Sequence, residues 1–109
     1  MNHDIFLNKI DENNITTIEF INNFGDKIGQ LVYEITGNKA IIYNTFIYPE
    51  YRRKGILKTY LPVILSMIKD NRISIINLSV LSEDAKSVWE RLGFKEKSIN
   101  NYYYETNKS

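Results

Sequence analysis

Among its 109 residues the chain has no cysteine and a single histidine, His3. Without thiols there are no disulfides, no thiolate metal site and no cysteine nucleophile. One histidine, in a terminus of the kind that commonly frays, cannot supply a His-based metal centre or a Ser-His-Asp triad. No bound metal is expected. Long apolar runs are missing too: the longest, 61–65, is interrupted by Pro62, far short of the ~18 residues of a membrane span. Residues 1–10 have no apolar core of signal-peptide length, so the expected location is the cytoplasm, with no membrane partner. Nor is there an excess of charge of one sign. Fourteen Lys and Arg against 13 Asp and Glu leave a formal charge of +1, so no global field favours nucleic acid, anionic membrane or an acidic partner. With no recognised nucleic-acid motif either, nucleic acid is not an expected partner. Repeats, linkers and low-complexity stretches are absent, which predicts one domain over 1–109, with 1–12 disordered and 107–109 a tail.

What is present is a succession of short strands and two amphipathic helices. Residues 15–22 are dense in β-branched side chains around Phe20, and Asn23-Phe24-Gly25-Asp26 is turn chemistry. Residues 27–36 alternate, Gly37-Asn38 makes a two-residue hairpin loop, and 40–47 return as the next strand. A helix is predicted over 53–70, burying Ile56, Tyr60, Val63, Ile64 and Met67, with a bend at Pro62. Ile76, Leu78 and Val80 mark a central strand within 73–81. Ser82 then reads as an N-cap ahead of Glu83 and Asp84, and Ala85, Val88, Trp89 and Leu92 form a helical stripe ended by Gly93. Residues 94–97 and 102–106 close the chain as a hairpin. The predicted order is β-β-β-α-β-α-β-β, an α+β fold.

The segment with the most chemistry is Tyr48-Pro49-Glu50-Tyr51-Arg52-Arg53-Lys54-Gly55-Ile56-Leu57-Lys58. A glycine between a strand and a helix lets backbone N–H groups approach an anion. The helix N-terminus adds unpaired donors and a positive dipole end. Arg52, Arg53, Lys54 and Lys58 bring cations to the same corner, the make-up of a pyrophosphate seat. A solvated basic turn is the plainer reading, and the flanking strand and helix favour the anion seat over it.

These residues resemble the GNAT superfamily of N-acetyltransferases. Its R/Q-x-x-G-x-G/A loop, entered through a V-x-P-x-Y/F-R run, is similar to Ile47-Tyr48-Pro49-Glu50-Tyr51-Arg52 followed by Arg53-Lys54-Gly55-Ile56-Leu57. Its N-x-x-A-x-x-L-Y-x-x-L-G-F motif resembles the run from Ser82 through Ala85, Trp89 and Leu92 to Gly93 and Phe94. The resemblance covers roughly 27–105 and implies a GNAT fold: a mixed, mostly antiparallel sheet of about six strands with two main helices and the N-terminal helices reduced or absent. It also implies acetyl-CoA as co-substrate. Backbone groups of Phe46 and Ile47, next to Tyr48, would pair with the pantetheine arm. The turn from Arg52 and Arg53 through Lys54, Gly55, Ile56 and Leu57 to Lys58 would cradle the pyrophosphate, with Ser82 beside it. The strands 40–47 and 73–81 would splay at the site. The implied reaction is direct acetyl transfer to a primary amine, with protein amines among the acceptors.

The sequence departs from the family pattern at three places. Leu57 stands where Gly or Ala is preferred, Trp89 where a tyrosine often acts as acid, and Ser82 where asparagine is usual. Too few residues precede Ile15 for the usual pair of N-terminal helices, so the acceptor groove would be open or walled by a second subunit of a homodimer. Glu34, Tyr43 and Asn44 are the candidate catalytic residues: a carboxylate on the polar-alternating side of its strand, and two side chains on the strand where the family often has its base. Trp89 reads first as core, and one hydroxyl of Tyr102, Tyr103 or Tyr104 could replace the missing acid, although a core role is the more natural one for them. The alternative function is a GNAT fold without catalysis, acting as a binding or regulatory module.

Overall fold

The structure, a computed structural model, describes residues 5–80 and 83–106. Seven strands form one sheet in the order β1-β2-β3-β4-β5-β7-β6. Their ranges are β1 Phe6–Glu12, β2 Ile15–Ile21, β3 Lys27–Thr36, β4 Lys39–Ile47, β5 Ile75–Ser79, β6 Lys95–Ser98 and β7 Asn101–Glu105, with helices α1 Ile56–Lys69 and α2 Glu83–Arg91. Only β4 and β5 run parallel; the other neighbours are antiparallel.

The predicted six strands become seven because 6–12, expected to be disordered, pair with β2. Asn13 turns the corner with φ 59°, a left-handed conformation that Asn tolerates better than most residues. No helix stands between β1 and β2. The Gly37-Asn38 loop forms as predicted, joining Thr36 to its partner Lys39. Asn22 shapes the preceding turn, its Oδ1 accepting from the N–H groups of Phe24 and Asp26, both at 2.9 Å.

Helix α1 starts three residues later than predicted, after a 3-10 turn at Pro49–Tyr51, because Arg53 and Gly55 take left-handed backbone that cannot belong to the helix. It continues through Pro62 without a break, the proline lying on the exposed side. Its buried stripe is Ile56, Leu61, Ile64, Leu65 and Ile68: Ile56 and Ile64 are buried as expected, whereas Tyr60 and Met67 are only half-buried and Val63 is 48% exposed. Two apolar stripes compete on this helix, and contact with the sheet selects the one whose Leu and Ile side chains each contribute about 1.5–3 kcal/mol on burial. Helix α2 follows; its expected N-cap, Ser82, lies outside the described residues.

Both helices pack on the same face of the sheet. Tyr60 of α1 meets Phe20 of β2 at 6.4 Å between ring centroids. Lys69 at the end of α1 donates to the Tyr104 hydroxyl at 3.0 Å, and the hydroxyl of Tyr102 donates to Glu90 of α2 at 3.1 Å. Tyr102 and Tyr104 share one side of β7. Through the registered pairs Tyr102–Leu78, Leu78–Ile42, Ile42–Tyr33 and Tyr33–Thr16, that side is continuous across the sheet and buried. Among the described residues no helix covers the opposite face.

Candidate active site

The site begins where β4 and β5 part. They pair from Lys39–Ile75 to Ile42–Leu78 and no further. Beyond that point β4 runs on through Tyr43, Asn44, Thr45 and Phe46 to Ile47, while β5 ends at Ser79. A bulge drives the separation: Val32 pairs with Tyr43 but Gln30 with Phe46, so β4 spends one residue more than β3 over this interval. Asn44 takes a φ of 50° there, which bends the strand away from its parallel neighbour. The result is a notch with Tyr43 and Asn44 on one rim and Ser79 on the other.

The distal end of β4 is fastened on two sides. Tyr48 N–H donates to the Ile28 carbonyl at 2.9 Å, toward β3. Peptide groups alternate along a strand, so Ile47 faces the other way, and its carbonyl accepts from Arg52 Nε at 2.8 Å. Phe46 pairs with Gln30 on β3 and stacks on Tyr48 at 5.4 Å between centroids. Of the two residues expected to face a pantetheine arm, the backbone of Ile47 is the one directed to the notch; that of Phe46 faces β3. Gly29, opposite Ile47, is required by space: a Cβ there would lie 2.4 Å from the Phe46 carbonyl oxygen and 2.7 Å from Ile47 Cδ1.

The basic turn follows directly. Arg53 and Gly55 both adopt left-handed backbone, φ 63° and 74°, reversing the chain into α1. The first backbone bond of the helix runs from Thr59 N–H to the Gly55 carbonyl at 2.9 Å, and no side chain caps its start. The N–H groups of Ile56, Leu57 and Lys58 precede that bond, as the first donors of any helix do. Gly55 has nothing within 4 Å of a notional Cβ, so its side toward solvent is open. Arg53, Lys54 and Lys58 are exposed around it, Ile56 is buried, and Leu57 turns its half-buried side chain onto the core.

The catalytic candidates do not gather. Tyr43 and Asn44 stand at the notch. Glu34 pairs with Ile41, two positions back along β4 from Tyr43 and so about 7 Å further from the notch; its recorded partner is Asn14 Nδ2, at 3.5 Å. Trp89 is core, 3% exposed and edge-on to Phe94 at 5.2 Å. Ser82 lies outside the described residues. Nothing in the sequence marks Ser79 as a rim residue, since only the strand register brings it opposite Tyr43; its hydroxyl donates to Asn101 Oδ1 at 2.9 Å.

No family model matches the sequence. The chain is 25% identical over 77 residues to the ribosomal protein bS18 alanine N-acetyltransferase of Escherichia coli, a match covering 69% of this chain and 52% of that enzyme. The chain thus spans about half the length of the curated relatives it matches. Among solved structures, the Escherichia coli ribosomal-protein-S18-alanine N-acetyltransferase superposes with a TM-score of 0.79 at 15% identity, over 91% of this chain and 74% of that one. The PaiA N-acetyltransferase of Thermoplasma acidophilum, in complex with coenzyme A, superposes with a TM-score of 0.72 at 23% identity, over 84% and 61%. An acetyltransferase of the GNAT family from Staphylococcus aureus gives 0.71 at 19%, over 85% and 69%.

Proposed function

The chain has the GNAT fold, and from that premise we propose that it transfers an acetyl group from acetyl-CoA to a primary amine. One observation carries this reading: parallel pairing stops at Ile42–Leu78, and the freed end of β4 leads straight into a basic glycine turn that opens α1. The donor's pantetheine arm lies along the notch, with Ile47 N–H as its backbone partner. Its pyrophosphate meets the N–H groups of Ile56, Leu57 and Lys58, with Arg53, Lys54 and Lys58 supplying charge. Arg52 braces this corner through its bond to Ile47. The inward turn of Leu57 supports the reading, because a side chain packed on the core leaves the phosphate side clear. That a fold neighbour was solved with coenzyme A bound supports it as well.

The chemistry is a direct transfer. A neutral amine nitrogen attacks the thioester carbonyl carbon; the C–N bond forms as the C–S bond breaks, and coenzyme A leaves as thiolate. The proton lost by the amine passes to water, and Tyr43 is the titratable hydroxyl at the rim able to return one to the sulfur. Holding donor and acceptor together in the notch supplies much of the rate. A protein amine is the acceptor favoured by the Escherichia coli relative, which is named for an alanine of a ribosomal protein.

The rim holds no carboxylate among its described residues, an observation that favours the alternative of a fold that binds without transferring. A thiol-release assay separates the two. The chain has no cysteine, so a thiol reagent sees only free coenzyme A. Amine-dependent thiol release with peptide N-termini or lysines supports transfer. Donor binding with no release above background supports the binding module, and absence of donor binding overturns both.

A further inference from the structure

The face of the sheet away from the helices has the wrong character for water. An antiparallel sheet with one solvated face normally alternates apolar-in and polar-out. Here the outward positions include Phe6 (66% exposed), Ile10 (43%), Ile15 (37%), Ile41 (46%) and Tyr43 (38%). At the other end of the same face a groove of about 380 Å³ is lined by Ile75 and Tyr103 among the side chains of Lys39, Lys97 and Glu105. One half thus projects apolar side chains and the other half is concave.

The charges are divided in the same way. On β1 to β3 the face carries Glu12, Glu19 and Glu34 against Lys27, which sits 3.6 Å from Glu19. On the far half it carries Lys95 and Lys97 against Glu105. Strand register orders one row across the sheet as Glu12, Ile15, Glu34, Ile41, Asn77, Tyr103, Lys95. Ile41 lies at its centre, on the middle strand.

We infer that this face is the interface of a homodimer whose two-fold axis runs along β4. That axis sets Ile41 against its own copy, Ile15 against the other subunit's Tyr103, and Glu12 against the other subunit's Lys95. An isologous interface needs this kind of self-complementarity, and aligned sheets pack about 10 Å apart through such rows. The size is adequate: six inter-strand spacings of ~4.8 Å and strands of ~6 residues give a plan of roughly 29 by 20 Å, and its pleated, side-chain-studded surface approaches the ~800 Å² per partner of a standard interface. The basic turn and α1 lie on the other face, so phosphate binding does not depend on association, although Tyr43 belongs both to the notch rim and to this face.

Sedimentation velocity over a concentration series tests it. The full chain is expected to sediment as a species of twice 12.8 kDa at tens of micromolar. Ile41→Glu places two carboxylates face to face on the axis and is expected to give monomer. Glu12→Lys and Lys95→Glu are each expected to raise the dimer dissociation constant about tenfold or more, and the double exchange to recover most of that loss. Both exchanges sit on exposed edge strands, so far-UV circular dichroism is expected to stay unchanged and to exclude misfolding. A chain that remains monomeric to about 100 µM, a partner of another kind then covering the face, would overturn the inference. So would a dimer indifferent to all three substitutions.

Discussion

Arg52 Nε donates to the Ile47 carbonyl at 2.8 Å, tying the last residue of β4 to the basic turn that opens α1. Arg52, Arg53, Lys54 and Lys58 are all exposed, and the bond gives the Arg52 head group a fixed partner within that basic turn. It sets the angle at which the strand end delivers the chain to the helix. Arg52→Ala is expected to cost about 1–2 kcal/mol, the worth of one charge-assisted bond in a partly buried place, and to weaken acetyl-CoA binding several-fold. Arg52→Lys, which lacks the planar fork, should rescue little of either. Urea unfolding and isothermal titration read the two effects.

Gly55 separates backbone strain from phosphate access. Its φ of 74° disfavours any residue with a Cβ, yet the space around it is open. Gly55→Ala should therefore lower stability by about 1 kcal/mol with little change in donor affinity. Gly55→Glu adds a carboxylate beside the pyrophosphate and is expected to weaken binding at least about tenfold through like-charge repulsion. Equal affinities in the two variants would remove the phosphate from this corner.

Arg53 offers the reverse test. It is a non-glycine residue at φ 63°, so Arg53→Gly should gain about 1 kcal/mol, a rise of roughly 4–8 °C in Tm for a domain of this size. The same change deletes a cation from the phosphate seat. Higher Tm together with weaker donor binding is the expected pair of results, from thermal unfolding and titration.

Gly29 is the point where β3 and the distal end of β4 approach most closely. Gly29→Ala would drive a Cβ into the Phe46 carbonyl and the Ile47 side chain, and backbone has little freedom to yield. A loss of about 2–3 kcal/mol is expected, together with reduced donor affinity, since Ile47 must move. Chemical denaturation of the purified variant measures the first, titration the second.

The sequence made the elements from β2 to β7 legible, the closing hairpin included, and the N-terminal strand less so. β3 was readable because turn chemistry at Asn23-Phe24-Gly25-Asp26 and Gly37-Asn38 bounds it on both sides, although the bulges in its register with β2 and β4 were not. β1 was not, because its residues alternate without large buried side chains: Phe6, Asn8 and Ile10 are all exposed. Helix α1 announced its existence but not its buried side, since two apolar stripes differ by one position and only contact with the sheet chooses. At the site, Gly55 and the cations around it stood out in the sequence. The notch itself did not, because the β4 bulge at Asn44 is a matter of register with β3 and the end of β4–β5 pairing at Ile42–Leu78 joins residues 36 positions apart. That same register moved Glu34 away from the rim and brought Ser79 to it.

The central claim, a seat for acetyl-CoA between the end of β4 and the start of α1, is tested most directly by isothermal titration of the chain with acetyl-CoA, alongside native mass spectrometry for co-purified coenzyme A. The account predicts one site per chain with a dissociation constant below about 1 mM, the upper range of working substrate affinities, and a marked loss in Gly55→Glu. No heat of binding at millimolar donor, with no coenzyme A carried through purification, would contradict it.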